Sequence, residues 1–111
     1  VDCGPVIHPD NVKAQTEGSI VDGLSAALYE TVSIADGKVT TGNFDTYHRM
    51  RINECPAIEV HIVASEQKRP GGMGEPAVPG VAPALANAIF AATGERIRDL
   101  PVHRRYPAAI T

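Results

Sequence analysis

The feature that most constrains the fold is a loop sequence, rich in glycine and proline, in the second half of the chain. It reads Pro70-Gly71-Gly72-Met73-Gly74-Glu75-Pro76. Proline fixes φ and lacks a backbone donor, and glycine weakens regular elements, so this loop can be neither a helix nor a central strand. The regular elements must therefore form on either side of it.

Before the loop, the clearest helical spacing runs from about Val12 to Glu30. Asp10 or Asn11 is the expected N-cap, because either side chain can accept from a free backbone N–H of the first turn. The expected apolar face comprises Ile20, Val21, Leu24, Ala27 and Leu28.

Two glycines, Gly18 and Gly23, lie inside this predicted helix. Each costs a helix about 1 kcal/mol relative to alanine. Close approach of another backbone or of a ligand would explain such a cost. The spacing alone favours tight helix packing over a ligand.

After the loop, a second helix is expected to follow Val78-Pro79-Gly80, with Gly94 as its C-cap. Its expected buried stripe comprises Val81, Leu85, Ala88, Ile89 and Ala92.

Strand signals are short. An Asp36-Gly37 pair between Thr31–Ile34 and Lys38–Thr41 predicts a β-hairpin. Apolar and polar residues alternate over Ala57–Val63, which predicts a half-buried strand with His61 facing outward.

The remaining segments have weaker patterns. Phe44, Tyr47 and Met50 are expected to anchor an irregular stretch, residues 96–102 to be extended, and residues 104–111 to form a frayed tail. Together these elements predict one α+β domain over residues 1–111, with two helices packed on one face of a small mixed or antiparallel sheet.

Composition excludes several functions. The 111 residues suit one domain, and with 5% aromatics the core must be built from Val, Ile, Leu and Ala. A net charge of -3 gives no electrostatic case for nucleic acid or an anionic membrane, and no apolar run has the length of a membrane span. The arginines near the end are either a solvated tail, which is favoured, or a docking strip for an acidic partner: Arg96, Arg98, Arg104 and Arg105.

The two cysteines, Cys3 and Cys55, form no Cys-x-x-Cys pair, and we expect two unpaired, partly buried thiols and no metal site ligated by this chain. The chain begins at Val1 inside an apolar segment, which we interpret as the cut edge of a longer polypeptide. The sequence therefore leaves the compartment open.

Glu75 is the first candidate for chemistry. The neighbouring glycines remove side chains that would obstruct a bulky ligand, and Pro76 restricts Glu75 toward extended values. The loop could therefore present one carboxylate into a pocket as a general base. Alternatively, Glu75 complements the macrodipole of the following helix, and loop composition alone favours this second role.

Gln15 is the second candidate, in the segment Gln15-Thr16-Glu17-Gly18. Its amide offers donor and acceptor groups that could contact the polar edge of a heterocycle. Without further information, a solvent-facing first turn is the favoured interpretation.

In order along the chain, these segments resemble the C-terminal part of the molybdopterin-binding subunit of the xanthine dehydrogenase/aldehyde oxidase family, the molybdenum hydroxylases. The sequence over Ala57–Val63 is most similar to the isoquinoline 1-oxidoreductase β-subunit branch. Asp22 departs from the family's usual apolar or aromatic residue. The matching stretches are Val1–Gly4, Pro9, Gln15–Gly18, Gly23–Tyr29, Asn43-Phe44, Tyr47, Gly71–Pro76 and Ala82–Phe90.

The resemblance implies an oxidoreductase that hydroxylates an aldehyde or N-heterocycle at an electron-poor carbon. It implies that Glu75 is the base that deprotonates the hydroxyl group on molybdenum. Gln15 would hydrogen-bond the pterin, Gly18 would allow its close approach, and the segment Gly72, Met73 and Gly74 would line the same cofactor.

The resemblance also implies molybdopterin in its cytosine dinucleotide form and a small-molecule substrate. The implied partners are the rest of the subunit and an iron–sulfur subunit, and the isolated chain is expected to be inactive. The alternative is a non-catalytic assembly domain that self-associates or docks on the remaining subunit.

Overall fold

The computed structural model describes residues 1–106. A long helix, α1, spans Pro9–Leu28 and a shorter one, α2, spans Val78–Thr93. Between them, β1 (Ile34–Ala35) pairs antiparallel with β2 (Lys38–Val39), and a 3-10 helix covers Val102–Arg104. The predicted α+β class, two helices with a small antiparallel sheet, is confirmed.

Helix α1 begins earlier than predicted. Its N-cap is His8, whose Nδ1 accepts from the backbone N–H of Asn11 at 3.2 Å. Pro9 occupies the first helical position, where its fixed φ suits the helix and its missing N–H has no partner to lose. The prediction of Asp10 or Asn11 as N-cap was wrong because an imidazole nitrogen can accept the same hydrogen bond.

The residues that α1 buries are all small. Ser19, Gly23, Ser25 and Ala27 are buried. The larger residues of the predicted apolar face are only half-buried: Ile20, Val21, Leu24 and Leu28. Small side chains let the two helices approach closely.

Gly23 is the point of closest approach. A Cβ added there would lie 2.8 Å from both Cβ and Cγ2 of Val81 and 3.3 Å from the carbonyl oxygen of Val78. Helix packing, one of the two explanations left open for this glycine, is therefore confirmed at Gly23.

Helix α2 ends as predicted. Gly94 adopts a left-handed conformation with φ 75°, and its N–H donates to the Phe90 carbonyl at 2.8 Å. Of the predicted buried stripe, Val81 is buried and Leu85 and Ile89 are half-buried.

The other two residues of that stripe, Ala88 and Ala92, are exposed, so this part of the prediction was wrong. Helical periodicity reports which residues share a face, but not whether a neighbour covers it.

The hairpin is also confirmed. Asp36 and Gly37 have φ of 50° and 72°, as a type I′ turn requires, and Ile34 lies opposite Val39 in the register. All the strand residues are exposed, whereas the helices pack against each other.

The predicted strand over 57–63 was wrong as a sheet element. Ile58 and Val60 are half-buried while Glu59 and His61 are exposed, so the alternation is retained at its start and His61 faces outward as expected. No neighbouring strand exists within residues 1–106, so the ladder hydrogen bonds that define a strand cannot form there.

The expected anchors differ in burial. Phe44 is 67% exposed and does not anchor the irregular stretch, whereas Tyr47 and Met50 are half-buried. Cys3 and Cys55 are unpaired and half-buried, as expected.

Near the end, residues 96–102 contain no strand, although Ile97 and Val102 are buried. In the region predicted as a frayed tail, the guanidinium of Arg105 and the hydroxyl of Tyr106 bind the Glu95 carboxylate. The rest of that tail, 107–111, lies outside the described residues. Neither helix of the described part is long and apolar enough to cross a bilayer.

Candidate functional site

The glycine-rich loop meets the first half of α1. The Gln15 amide donates from Nε2 to the Gly74 carbonyl at 3.1 Å, and the Ser19 hydroxyl donates to the same oxygen at 3.5 Å. Gln15 and Ser19 are one turn apart on the helix, so both reach the same acceptor. These two contacts join segments that are far apart in sequence.

A cavity of about 310 Å³ lies at this junction. It is lined by Gln15, Gly18, Ser19, Asp22, Gly74, Glu75 and Val78. The structure thus brings together four of the residues singled out in the sequence, from both of its candidate segments.

The cavity is open where its glycines lie. Nothing is within 4 Å of a Cβ added at Gly18 or Gly74, and both residues are exposed. Gly18 is therefore not explained by packing, in contrast to Gly23. A ligand could approach the backbone closely at these two positions.

Two of the sequence candidates lie elsewhere. Gly72 has open space around it but does not line this cavity. Met73 is half-buried and borders two other cavities, of about 320 and 260 Å³, both of which Cys3 and Val12 also line.

Glu75 is exposed at the cavity, and its side chain makes no hydrogen bond or ion pair within residues 1–106. The N-cap of α2 is Ala77, with no side-chain cap, and only the main-chain carbonyl of Glu75 accepts, from the N–H of Val78 at 3.2 Å. The Glu75 carboxylate is thus not used to cap the helix and stays available to a ligand.

Sequence reasoning missed Asp22 and Arg49. Asp22 lines the cavity, one turn beyond Gly18 on α1, so helical spacing could have found it. Arg49 binds the Asp22 carboxylate and places its Nε 3.1 Å from Oε1 of Glu30. No sequence signal links Arg49 to α1, because the irregular segment that carries it has no period.

Glu30 fixes that segment on the helix. Its carboxylate accepts from the hydroxyls of Ser25 and Tyr47, each at 2.6 Å, and Ser25 in turn accepts from the Met50 N–H at 3.0 Å. Burial is the largest single influence on the pKa of Glu30 and raises it, but the two hydroxyls and the Arg49 charge together hold that pKa below its usual value. The hydrogen bond to Glu30 raises the pKa of Tyr47.

Comparison with known proteins identifies the kind of domain to which this fold and cavity belong. A family model described as "Molybdopterin cofactor-binding domain" matches residues 1–56. The chain belongs to this family, and the resemblance to the molybdenum hydroxylases is confirmed.

Two relatives match most of this chain. The chain is 44% identical to "Membrane-bound aldehyde dehydrogenase [pyrroloquinoline-quinone]" of Gluconacetobacter polyoxogenes, over 92% of its length and 13% of the relative's. It is 41% identical to the isoquinoline 1-oxidoreductase subunit beta of Brevundimonas diminuta, with the same coverage of 92% and 13%. The chain thus spans only a small part of these relatives.

The fold matches solved structures as well. The crystal structure of quinoline 2-oxidoreductase from Pseudomonas putida 86 superposes with a TM-score of 0.81 at 24% identity, over 96% of this chain and 15% of that one. At this identity the match shows the fold.

The residues at the cavity fit a molybdopterin. Gly18 and Gly74 leave an open cradle beside the backbone that a larger side chain would enter, and the cavity is also lined by amide and carboxylate groups. A volume of about 310 Å³ could take one end of a large cofactor.

Proposed function

We propose that this chain supplies the general base and part of the molybdopterin site of a molybdenum hydroxylase. The complete enzyme would oxidise an aldehyde or an N-heterocycle at an electron-poor carbon. The observation that supports this proposal is the junction of Gln15, Gly18, Gly74 and Glu75 at one cavity in a chain of the molybdopterin-binding family.

Each residue has a role in this proposal. Gln15 would hydrogen-bond the pterin, with Gly18 and Gly74 allowing the ring system to approach the backbone, and Gly72 and Met73 would line the same cofactor. When bound, the cofactor supplies oxygen transfer and accepts two electrons from the substrate. We propose its cytosine dinucleotide form.

Glu75 would hold the proton that is released during hydroxylation. A general base must be free to accept a proton and must lie within hydrogen-bond reach of its donor. The Glu75 carboxylate meets the first requirement, because it has no hydrogen-bond donor and no cation bound to it within residues 1–106.

The partners would be the remainder of the subunit and an iron–sulfur subunit that removes the electrons. The chain matches only 13% of the isoquinoline 1-oxidoreductase subunit beta, a protein whose name marks it as one subunit of several. On this proposal the isolated chain is inactive.

The test is the substitution Glu75→Gln in the complete enzyme. We expect turnover to fall by about 10²–10⁴-fold, the usual contribution of a general base, while molybdenum content stays unchanged. Glu59→Gln is the matched control, because Glu59 is exposed and outside the cavity. Retained turnover in Glu75→Gln would contradict the proposed role.

A second candidate is a non-catalytic assembly domain that self-associates or docks on the rest of the subunit. It is favoured by the exposure of large apolar side chains: Ile7 is 83% exposed, Val63 81% and Ile52 95%. Light scattering of the isolated chain should then show association that increases with concentration. A clean monomer over a wide concentration range would argue against self-association.

A further inference from the structure

The side chains around the cavity mainly offer acceptors. One hydrogen of the Gln15 amide and the hydroxyl hydrogen of Ser19 are directed at the Gly74 carbonyl. Within residues 1–106, no donor reaches Oε1 of Gln15, Oδ2 of Asp22 or the carboxylate of Glu75. A ligand that satisfies these atoms must present hydrogen-bond donors.

Asp22 differs from Glu75 in being held in place. Arg49 binds only its Oδ1, which leaves Oδ2 for a ligand. The Arg49 guanidinium is itself held at 3.1 Å by Glu30, whose carboxylate is fixed by the hydroxyls of Ser25 and Tyr47. The chain of contacts therefore orders the Asp22 carboxylate before any ligand arrives, and pre-ordering lowers the entropic cost of binding.

We propose that Asp22 is a further cofactor-binding residue, which accepts a hydrogen bond from an N–H group of the heterocyclic end of the cofactor, and that Arg49 is its positioning residue. This inference rests on the proposed function, because it places the molybdopterin in the cavity that Asp22 shares with Gln15 and Gly18. A hydrogen bond to a carboxylate is stronger than one between neutral groups.

The test measures cofactor retention in the complete protein that carries this chain. Asp22→Asn keeps the size of the side chain but removes its charge. We expect the pterin, detected by fluorescence of the oxidised cofactor, to be released about 5- to 10-fold faster, because the amide oxygen that remains accepts a weaker hydrogen bond than the carboxylate. Molybdenum content of the purified protein should fall in parallel.

Two further variants separate binding from folding. Arg49→Gln keeps the Asp22 carboxylate but removes its support, so release should be faster than in the parent and slower than in Asp22→Asn. Glu17→Gln breaks the Lys13–Glu17 pair, at 3.8 Å on the same helix but away from the cavity, and should retain cofactor like the parent. Thermal unfolding of the cofactor-free forms gives the contribution of the fold alone.

Faster release from Asp22→Asn, with an unchanged cofactor-free melting temperature, supports the inference. Release at the parental rate from Asp22→Asn overturns it, even if turnover falls. A third outcome also overturns it. If Asp22→Asn and Arg49→Gln release the cofactor equally fast, and the cofactor-free melting temperature falls enough to account for that rate, then Asp22 acts only through the fold. The proposed function is tested separately, since Glu75→Gln is judged by turnover at constant molybdenum content.

Discussion

Gly18 and Gly23 lie on the same helix, yet the structure uses them in opposite ways. At Gly23 the neighbouring helix comes so close that a Cβ would lie 2.8 Å from Val81, whereas at Gly18 nothing lies within 4 Å. Gly23 lies where α1 packs against α2, and Gly18 borders the cavity. The comparison shows that a glycine inside a helix does not by itself reveal whether another part of the protein packs against it.

The largest effect on stability is expected at the packed face. Gly23→Val should lower the free energy of unfolding by about 1–3 kcal/mol, the usual cost of overpacking, because Val81 and the backbone of α2 would have to move. Urea denaturation measures the change. Parental stability would show that the two helices can separate without cost.

The matched change at the cavity, Gly18→Val, should have the opposite pattern of effects, with little change in stability and a loss of cofactor. Gly18→Val gains the same helix propensity and adds a side chain in open space, so the free energy of unfolding should be unchanged or slightly higher. Cofactor content of the complete protein should fall, since the added side chain would occupy the cradle. If Gly18→Val keeps its cofactor, then Gly18 does not border the pterin.

The smallest effect concerns pH and the irregular segment that carries Arg49, which Glu30 holds on α1. Glu30 has a lowered pKa in the folded state, so its contribution to stability is present above its ordinary pKa of 4.5 and is lost as the pH falls through the folded value. The stability difference between the parent and Glu30→Gln should therefore shrink below about pH 4.5. Unfolding of both proteins across this pH range measures it.

Tyr47→Phe sharpens the same experiment. It removes one of the two hydroxyls that bind Glu30 and should move the loss of stability to higher pH. A difference between parent and Glu30→Gln that does not depend on pH would contradict the role given to the Glu30 carboxylate.

Local signals predicted part of this molecule well. The Asp36-Gly37 turn and the Gly94 cap were found because each depends on a conformation that few residues adopt. The N-cap at His8 was missed, since its ring nitrogen replaced the usual carboxylate, amide or hydroxyl oxygen. The strand at 57–63 failed because a strand needs a partner, which a pattern within one segment cannot supply.

The candidate site likewise has residues that the sequence predicted and residues that only the structure revealed. Glu75 and Gln15 were recognisable in the sequence through their glycine-rich surroundings and the family resemblance, but their meeting at Gly74 depends on how α1 and the loop pack. The ion pair between Asp22 and Arg49 is visible only in the tertiary structure, because Arg49 lies in an irregular segment that is remote from α1 in the sequence.

By itself, the sequence determined the helices, the hairpin turn, the loop and the family, since these follow from short-range conformational preferences and from an ordered set of motifs. Only the tertiary structure decided which glycine packs, which carboxylate is paired and which residues share a cavity. Those properties depend on distances between segments remote in sequence, and burial and pairing are set by such distances rather than by local composition.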